Sequence, residues 1–186
     1  MEEVRSILLK REEVRRIISR LAYEIAEKCS TSDELTLIGI RTRGAHLVRR
    51  IALKIESFNH RMPSVEVVDV SPYRDDRRHK ESNDFSFTDQ FQSSLDDKVV
   101  VLVDDVIYTG RTIRAALEMI SHWGKPEKIM VAVLVDRGDR ELPIRADIVG
   151  KNVQISKSER VNVYLEESDG IDQVTVNPKK RKPSYI

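Results

Sequence analysis

Val99-Val100-Val101-Leu102-Val103-Asp104-Asp105-Val106-Ile107-Tyr108-Thr109-Gly110-Arg111-Thr112 decides the fold of this 186-residue chain. Five consecutive apolar residues ending at Val103 suit a parallel strand buried on both faces. Two acids follow at once. A helix then opens, with Ile113, Ala116, Leu117, Ile120 and Trp123 on its inner face and Gly124 and Pro126 to end it.

Outward from this stretch the pattern repeats. Upstream, Val14, Ile17, Ile18, Leu21, Ala22, Ile25, Ala26 and Cys29 mark one face of an amphipathic helix, which makes Cys29 a buried structural thiol. Leu35 to Ile40 reads as a strand. A helix with Leu47, Val48, Ile51, Ala52 and Ile55 inside follows, then a strand over Val65 to Val70. Downstream, Ile129 to Val135 is another buried strand, and shorter strands are expected at 146–149, 161–165 and 174–176. Alternating strands and helices predict a single α/β domain over residues 1–186, a mostly parallel sheet with helices on both faces. The polar stretch 71–98 is too long for an idle connection and reads as a flexible flap; residues 177–186 read as a basic tail.

Composition narrows the function. The formal charge is only +1, so nucleic-acid binding requires a local patch. A hydrophobic share of 40% exceeds that of a disordered chain. No apolar run reaches the ~20 residues of a membrane helix. The charged start MEEVRSILLKREEV is not a signal peptide, and a lone cysteine permits neither an internal disulfide nor a thiolate-rich zinc site. The chain is expected in the cytoplasm, without membrane contact.

Ligands of open α/β sheets bind beyond the carboxyl ends of the strands. Three polar segments belong there: 41–44, 104–112 and 136–140. A bare Asp-Asp suits a turn cap. The acid pair followed by Thr109, Gly110 and Thr112 at a helix N-terminus instead fits a ribose 5-phosphate, with carboxylates for two hydroxyls and backbone N–H groups for the phosphate.

This stretch resembles the phosphoribosyl-pyrophosphate (PRPP) motif of type I phosphoribosyltransferases. Gly39-Ile-Arg-Thr-Arg-Gly44, Tyr73-Arg-Asp-Asp76, Val133-Leu-Val-Asp-Arg-Gly138, Arg140-Glu-Leu-Pro-Ile-Arg-Ala-Asp147 and Val149-Gly-Lys-Asn152 extend the likeness to the PyrR family, pyrimidine operon attenuators with uracil phosphoribosyltransferase activity. The resemblance implies conversion of uracil and PRPP to UMP and pyrophosphate. It places pyrophosphate at Thr42, Arg43 and Gly44, in a loop with a non-proline cis peptide. Asp104 and Asp105 would hold the ribose hydroxyls, with Val106 and Tyr108 beside them. Thr109, Gly110, Arg111 and Thr112 would hold the 5′-phosphate, and Asp136, Arg137 and Gly138 the base. Tyr73 and Arg74 would act from the flap. Arg43, Tyr73, Arg74, Asp104 and Asp105 are the implied catalytic set, and Mg²⁺ arrives with PRPP rather than at a permanent site. Relatives that use 6-oxopurines carry a carboxylate at the position of Tyr108; a phenol protonated near pKa ~10 cannot replace it, so uracil is expected.

The family also binds a leader mRNA hairpin of pyrimidine genes when UMP is present. Arg16, Arg20, Lys28, Arg41, Arg140, Arg145 and Lys151 are the implied RNA contacts, and a homodimer or homotetramer the implied assembly. The sequence departs from the family at Tyr23 and Asp139, where histidine is common, and at Ser71-Pro72. Tyr23 remains able to stack a base, whereas Asp139 sets a negative charge where phosphates are expected. The alternative is a nucleobase-salvage phosphoribosyltransferase without RNA-binding regulation.

Overall fold

The computed structural model describes residues 6–30, 34–73 and 94–179. The expected flap therefore lies mostly outside the described residues, with Arg74, and so does the basic tail beyond Lys179. In chain order the elements are β1 (Ser6–Leu9), α1 (Arg11–Lys28), β2 (Leu35–Ile40), α2 (Arg43–Asn59), β3 (Ser64–Val68), β4 (Val99–Ile107), α3 (Arg111–Ile120), β5 (Lys128–Asp136), β6 (Ile148–Asn152), β7 (Glu159–Tyr164), α4 (Glu166–Asp169) and β8 (Gln173–Pro178). A 3-10 turn spans Ser71–Tyr73.

The main sheet is parallel with strand order β3-β2-β4-β5-β6. Successive strand residues point to opposite faces, so β4 feeds two cores. Val99, Val101 and Val103 join α1 and α2 on one face, and Val100, Leu102 and Ile107 join α3 on the other. Fully burying a side chain such as Leu102 is worth about 1.5–3 kcal/mol. The Glu13 carboxylate accepts the Lys10 N–H at 2.9 Å to start α1, and Cys29 is buried at its end, where burial pushes the thiol pKa up.

The structure departs from the sequence reading in three places. A second sheet, antiparallel with order β1-β8-β7, stands apart from the parallel one. Strand β4 continues through the acid pair to Ile107 instead of stopping at Val103, because β5 pairs with it throughout. Helix α3 stops at Ile120, so Trp123 lies in the following turn, its N–H on the Ile120 carbonyl, and packs against the second core from there. Among the described residues no helix is long and apolar enough to cross a membrane.

Candidate active site

Register creates the site. Val103 pairs with Gly39, and β2 ends one residue later, so beyond Val103 strand β4 is paired on the β5 side alone. Asp104 and Asp105 sit on this overhang. The Oδ1 of Asp104 accepts the Asp105 N–H at 2.9 Å, and the Oδ1 of Asp105 accepts the Val106 N–H at 2.8 Å. Asp104 is buried and Asp105 half-buried. Burial raises the Asp105 carboxyl pKa above its ordinary value, against the opposing pull of Asp104, the Val106 N–H and the Arg43 guanidinium.

Arg43 comes close because α2 starts hard against β4. A Cβ on Gly44 would stand 2.6 Å from the Val103 carbonyl oxygen, and one on Gly39 would stand 2.5 Å from the Gly44 carbonyl oxygen. Only glycine at both positions permits this approach. The Arg41–Thr42 peptide is cis, as the resemblance implies for this loop. Arg43 donates to both Asp169 oxygens, at 3.0 and 3.3 Å, which links the loop to α4.

Gly110, at φ 93°, turns the chain from the overhang into α3, a conformation that favours glycine. The Thr109 carbonyl accepts the N–H groups of Glu141 and Leu142 at 3.0 and 3.1 Å, while Arg111 Nε donates to Glu141 at 2.8 Å. Arg111, expected on the phosphate, is thus engaged with a carboxylate.

The end of β5 is equally organised. Asp136 accepts the Gly138 N–H at 2.8 Å and Arg140 Nη2 at 2.6 Å. Buried Arg137 lays its guanidinium 3.8 Å from the Tyr108 ring centroid and donates to the Ser156 carbonyl at 3.2 Å. The resulting cleft, about 940 Å³, is lined by Arg41, Asp104 through Ile113, Glu141, Val161 and Lys179. Thr42, Arg43, Gly44, Asp136, Arg137 and Gly138 are outside this lining, and so is Tyr73. Its carbonyl accepts Arg114 at 2.9 Å and its ring lies 6.2 Å from that of His122, past the far end of α3.

Residues 5–167 match the model of the phosphoribosyl transferase domain. A relative from Fusobacterium nucleatum named "Bifunctional protein PyrR" is 46% identical over 177 residues, covering 95% of this chain and 99% of its own length. Its Bacillus subtilis namesake is 43% identical over 174 residues, covering 92% and 96%. This chain belongs to the PyrR family. Among solved structures, a hypoxanthine phosphoribosyltransferase from Trypanosoma cruzi in complex with IMP superposes with a TM-score of 0.72 at 22% identity, covering 96% of this chain and 93% of that one, which establishes the shared fold.

The basic residues that the PyrR resemblance singles out are spread over α1, β6, the cleft and the segment after β5. Arg20 and Lys28 share a shallow surface of α1 with Tyr23, Glu24 and Glu27, so acids interrupt it. Arg16 is exposed on the same helix, and Lys151 lies on β6, next to the Val149 and Gly150 carbonyls that accept Arg20. Arg41 lines the cleft instead, 3.9 Å from Asp69. Arg145 is exposed. Arg140 is a correction to the sequence reading: besides Asp136 its guanidinium reaches the carbonyls of Ile144, Tyr108 and Gly138. It stitches the loop after β5 together and is not a free surface charge. Tyr23 already stacks one face on Phe58, with centroids 4.3 Å apart, and Asp139 lies 3.7 Å from Arg137.

Sequence reasoning missed Ile113 and Glu141 among the lining residues, and also Val161 and Lys179, the two that come from outside the parallel sheet. Neither belongs to a strand-end loop of the parallel sheet; the β7–β8 pairing carries them to the cleft.

Proposed function

We propose that this chain is a uracil phosphoribosyltransferase and UMP-responsive RNA regulator whose two activities share one nucleotide cleft. The observation that carries the enzyme reading is the acid pair on the stretch of β4 that outruns β2, followed by a glycine turn into α3. Asp104 and Asp105 bind the ribose hydroxyls, and the turn from Thr109 to Thr112 receives the 5′-phosphate at the positive end of the helix. Thr42, Arg43 and Gly44 take the pyrophosphate. The bond from the ribose anomeric carbon to pyrophosphate breaks, the bond to the uracil nitrogen forms, and the proton on that nitrogen is released. The two Asp carboxylates stabilise positive charge developing on the ribosyl group, so positioning and electrostatics supply the rate. Mg²⁺ favours few protein carboxylates plus phosphate oxygens; Asp104 and Asp105 would be the carboxylates to hold such an ion, whose charge would offset that of the pyrophosphate.

Tyr108 supports uracil over 6-oxopurines. It offers no carboxylate to a purine imidazole, and its ring is engaged by Arg137. In a panel of bases with PRPP, read by pyrophosphate release, uracil is expected to react while hypoxanthine and guanine do not. Efficient purine turnover by the wild-type chain would overturn the assignment.

For the RNA role, the support is exposed Arg16 and Lys28 on α1 together with exposed Arg145, which follows the base loop directly. A pyrimidine-leader hairpin should bind more tightly with UMP than without, and more tightly than a scrambled hairpin. Each phosphate contact contributes a slope of roughly −0.7 to −0.9 to log K against log salt, so Lys28→Gln with Arg145→Gln should flatten the slope by about 1.5. Arg140→Gln should lower uracil turnover instead, because its hydrogen bonds hold the base loop. Equal binding of both hairpins, with or without UMP, leaves the chain an enzyme alone.

A further inference from the structure

We infer that Lys179 is a base-specificity residue, whose ammonium reads a carbonyl oxygen of the pyrimidine. The inference rests on the uracil reading above and deepens it. The residues expected beside the base are already committed: Asp136 to Arg140 and the Gly138 N–H, Arg137 to the Tyr108 ring and the Ser156 carbonyl. Lys179 is differently placed. Its backbone N–H donates to the Ser158 carbonyl at 2.7 Å, extending the β7–β8 ladder one step past the Glu159–Pro178 pair. That bond fixes the root of the side chain at the cleft wall. The Nζ lies 5.4 Å from the Tyr108 ring centroid, within cation–π range. Among the described residues no carboxylate pairs with it. A ring face attracts the ammonium without consuming all three of its N–H donors.

An ammonium only donates. Beside the base it donates to a carbonyl oxygen and repels an exocyclic amino group, whose hydrogens meet its own. Uracil presents one more carbonyl oxygen than cytosine, in the position where cytosine carries its amino group. Lys179 therefore favours the uracil ring from a strand of the small sheet, independently of the acid pair and the phosphate turn.

The test uses the full-length chain and its Lys179→Met and Lys179→Arg variants. Steady-state kinetics give KM for uracil and for PRPP, and calorimetry gives Kd for UMP, CMP and ribose 5-phosphate. A hydrogen bond from a charged donor predicts a rise of roughly 10- to 100-fold in KM for uracil and Kd for UMP in Lys179→Met. The preference for UMP over CMP should shrink by a similar factor. KM for PRPP and Kd for ribose 5-phosphate should be unchanged, and Lys179→Arg should restore most of the loss. Unchanged uracil and UMP values in Lys179→Met, beside a wild type that uses uracil, overturn the specificity role alone. Equal weakening of ribose 5-phosphate overturns it too, since the lysine then acts only as a general charge. A wild type that does not use uracil takes down both this inference and the reading beneath it.

Discussion

Replacing Asp104 and Asp105 together with asparagine is expected to cut uracil-dependent pyrophosphate release by roughly a hundredfold to ten-thousandfold. Each hydrogen bond to a charged group is worth about 1.5–3 kcal/mol, and two such losses in the transition state reach that size. Asparagine keeps an oxygen for the overhang N–H groups, so the strand end has no reason to rearrange. Asp105→Asn alone separates chemistry from scaffold. Burial raises the Asp105 carboxyl pKa in the folded chain. Between its unfolded value of 3.8 and the raised folded value, the folded state binds more proton than the unfolded one. Stability from this group is therefore fully present below the unfolded pKa and lost as pH rises through the folded one. At pH 7 the wild type carries that loss and the asparagine variant does not. Its thermal midpoint at neutral pH should equal or exceed that of the wild type, with the advantage vanishing in acid. Near-normal turnover of the double variant would sink the ribose assignment. A lowered midpoint at neutral pH would make the carboxylate structural.

The largest expected stability effect lies elsewhere on α2. Arg50 donates twice to Glu167, at 2.7 and 2.6 Å, and twice to Asp172, at 2.9 and 2.8 Å. The Asp172 side chain is only 1% exposed. Arg50→Met leaves it without the guanidinium, and breaking a buried pair in this way costs about 3–5 kcal/mol. At this chain length that is a drop of roughly 6–20 °C in thermal midpoint. Arg50→Lys should recover only part, because an ammonium cannot bridge two carboxylates as a planar fork does. The pH dependence has the opposite sign to that of Asp105. Burial pushes the Asp172 carboxyl up, but Arg50 and the Glu166 N–H pull it below its ordinary value. The pair's stability is present above the unfolded pKa of 3.8 and is lost as pH falls through the depressed folded value. The difference between wild type and Arg50→Met, measured by urea denaturation, should therefore be full at pH 7 and close in strong acid. A difference that persists unchanged in acid would show that packing, not charge, sets the loss.

The parallel sheet was readable because its strands announce themselves. A strand buried on both faces must be apolar at every position, as Val99 to Val103 and Ile129 to Val135 are. The acid pair was readable because carboxylates at the end of such a run are costly without a purpose. Local spacing did not disclose what pairing decides. That β4 outruns β2 depends on register between strands nearly sixty residues apart, and it converts the acids from a loop feature into a strand feature. Arg140 carries no sign in its neighbourhood that carbonyls as distant as that of Tyr108 will consume its donors. The small sheet was illegible as a separate layer because its members are short and drawn from opposite ends of the chain. Lys179, at the start of a basic run, looks like part of a tail until its N–H is seen on Ser158.

The cleft has walls of two origins: Asp104 through Ile113 come from the parallel sheet and α3, whereas Val161 and Lys179 come from the antiparallel sheet. Mutation can therefore explore the two walls separately. On the role proposed for Lys179, a change there alters the base preference set jointly with Tyr108, while the register of β2, β4 and β5 that carries the acid pair is left intact. A substitution on the antiparallel wall can thus reshape one side of the cleft without disturbing the strand register that builds the other.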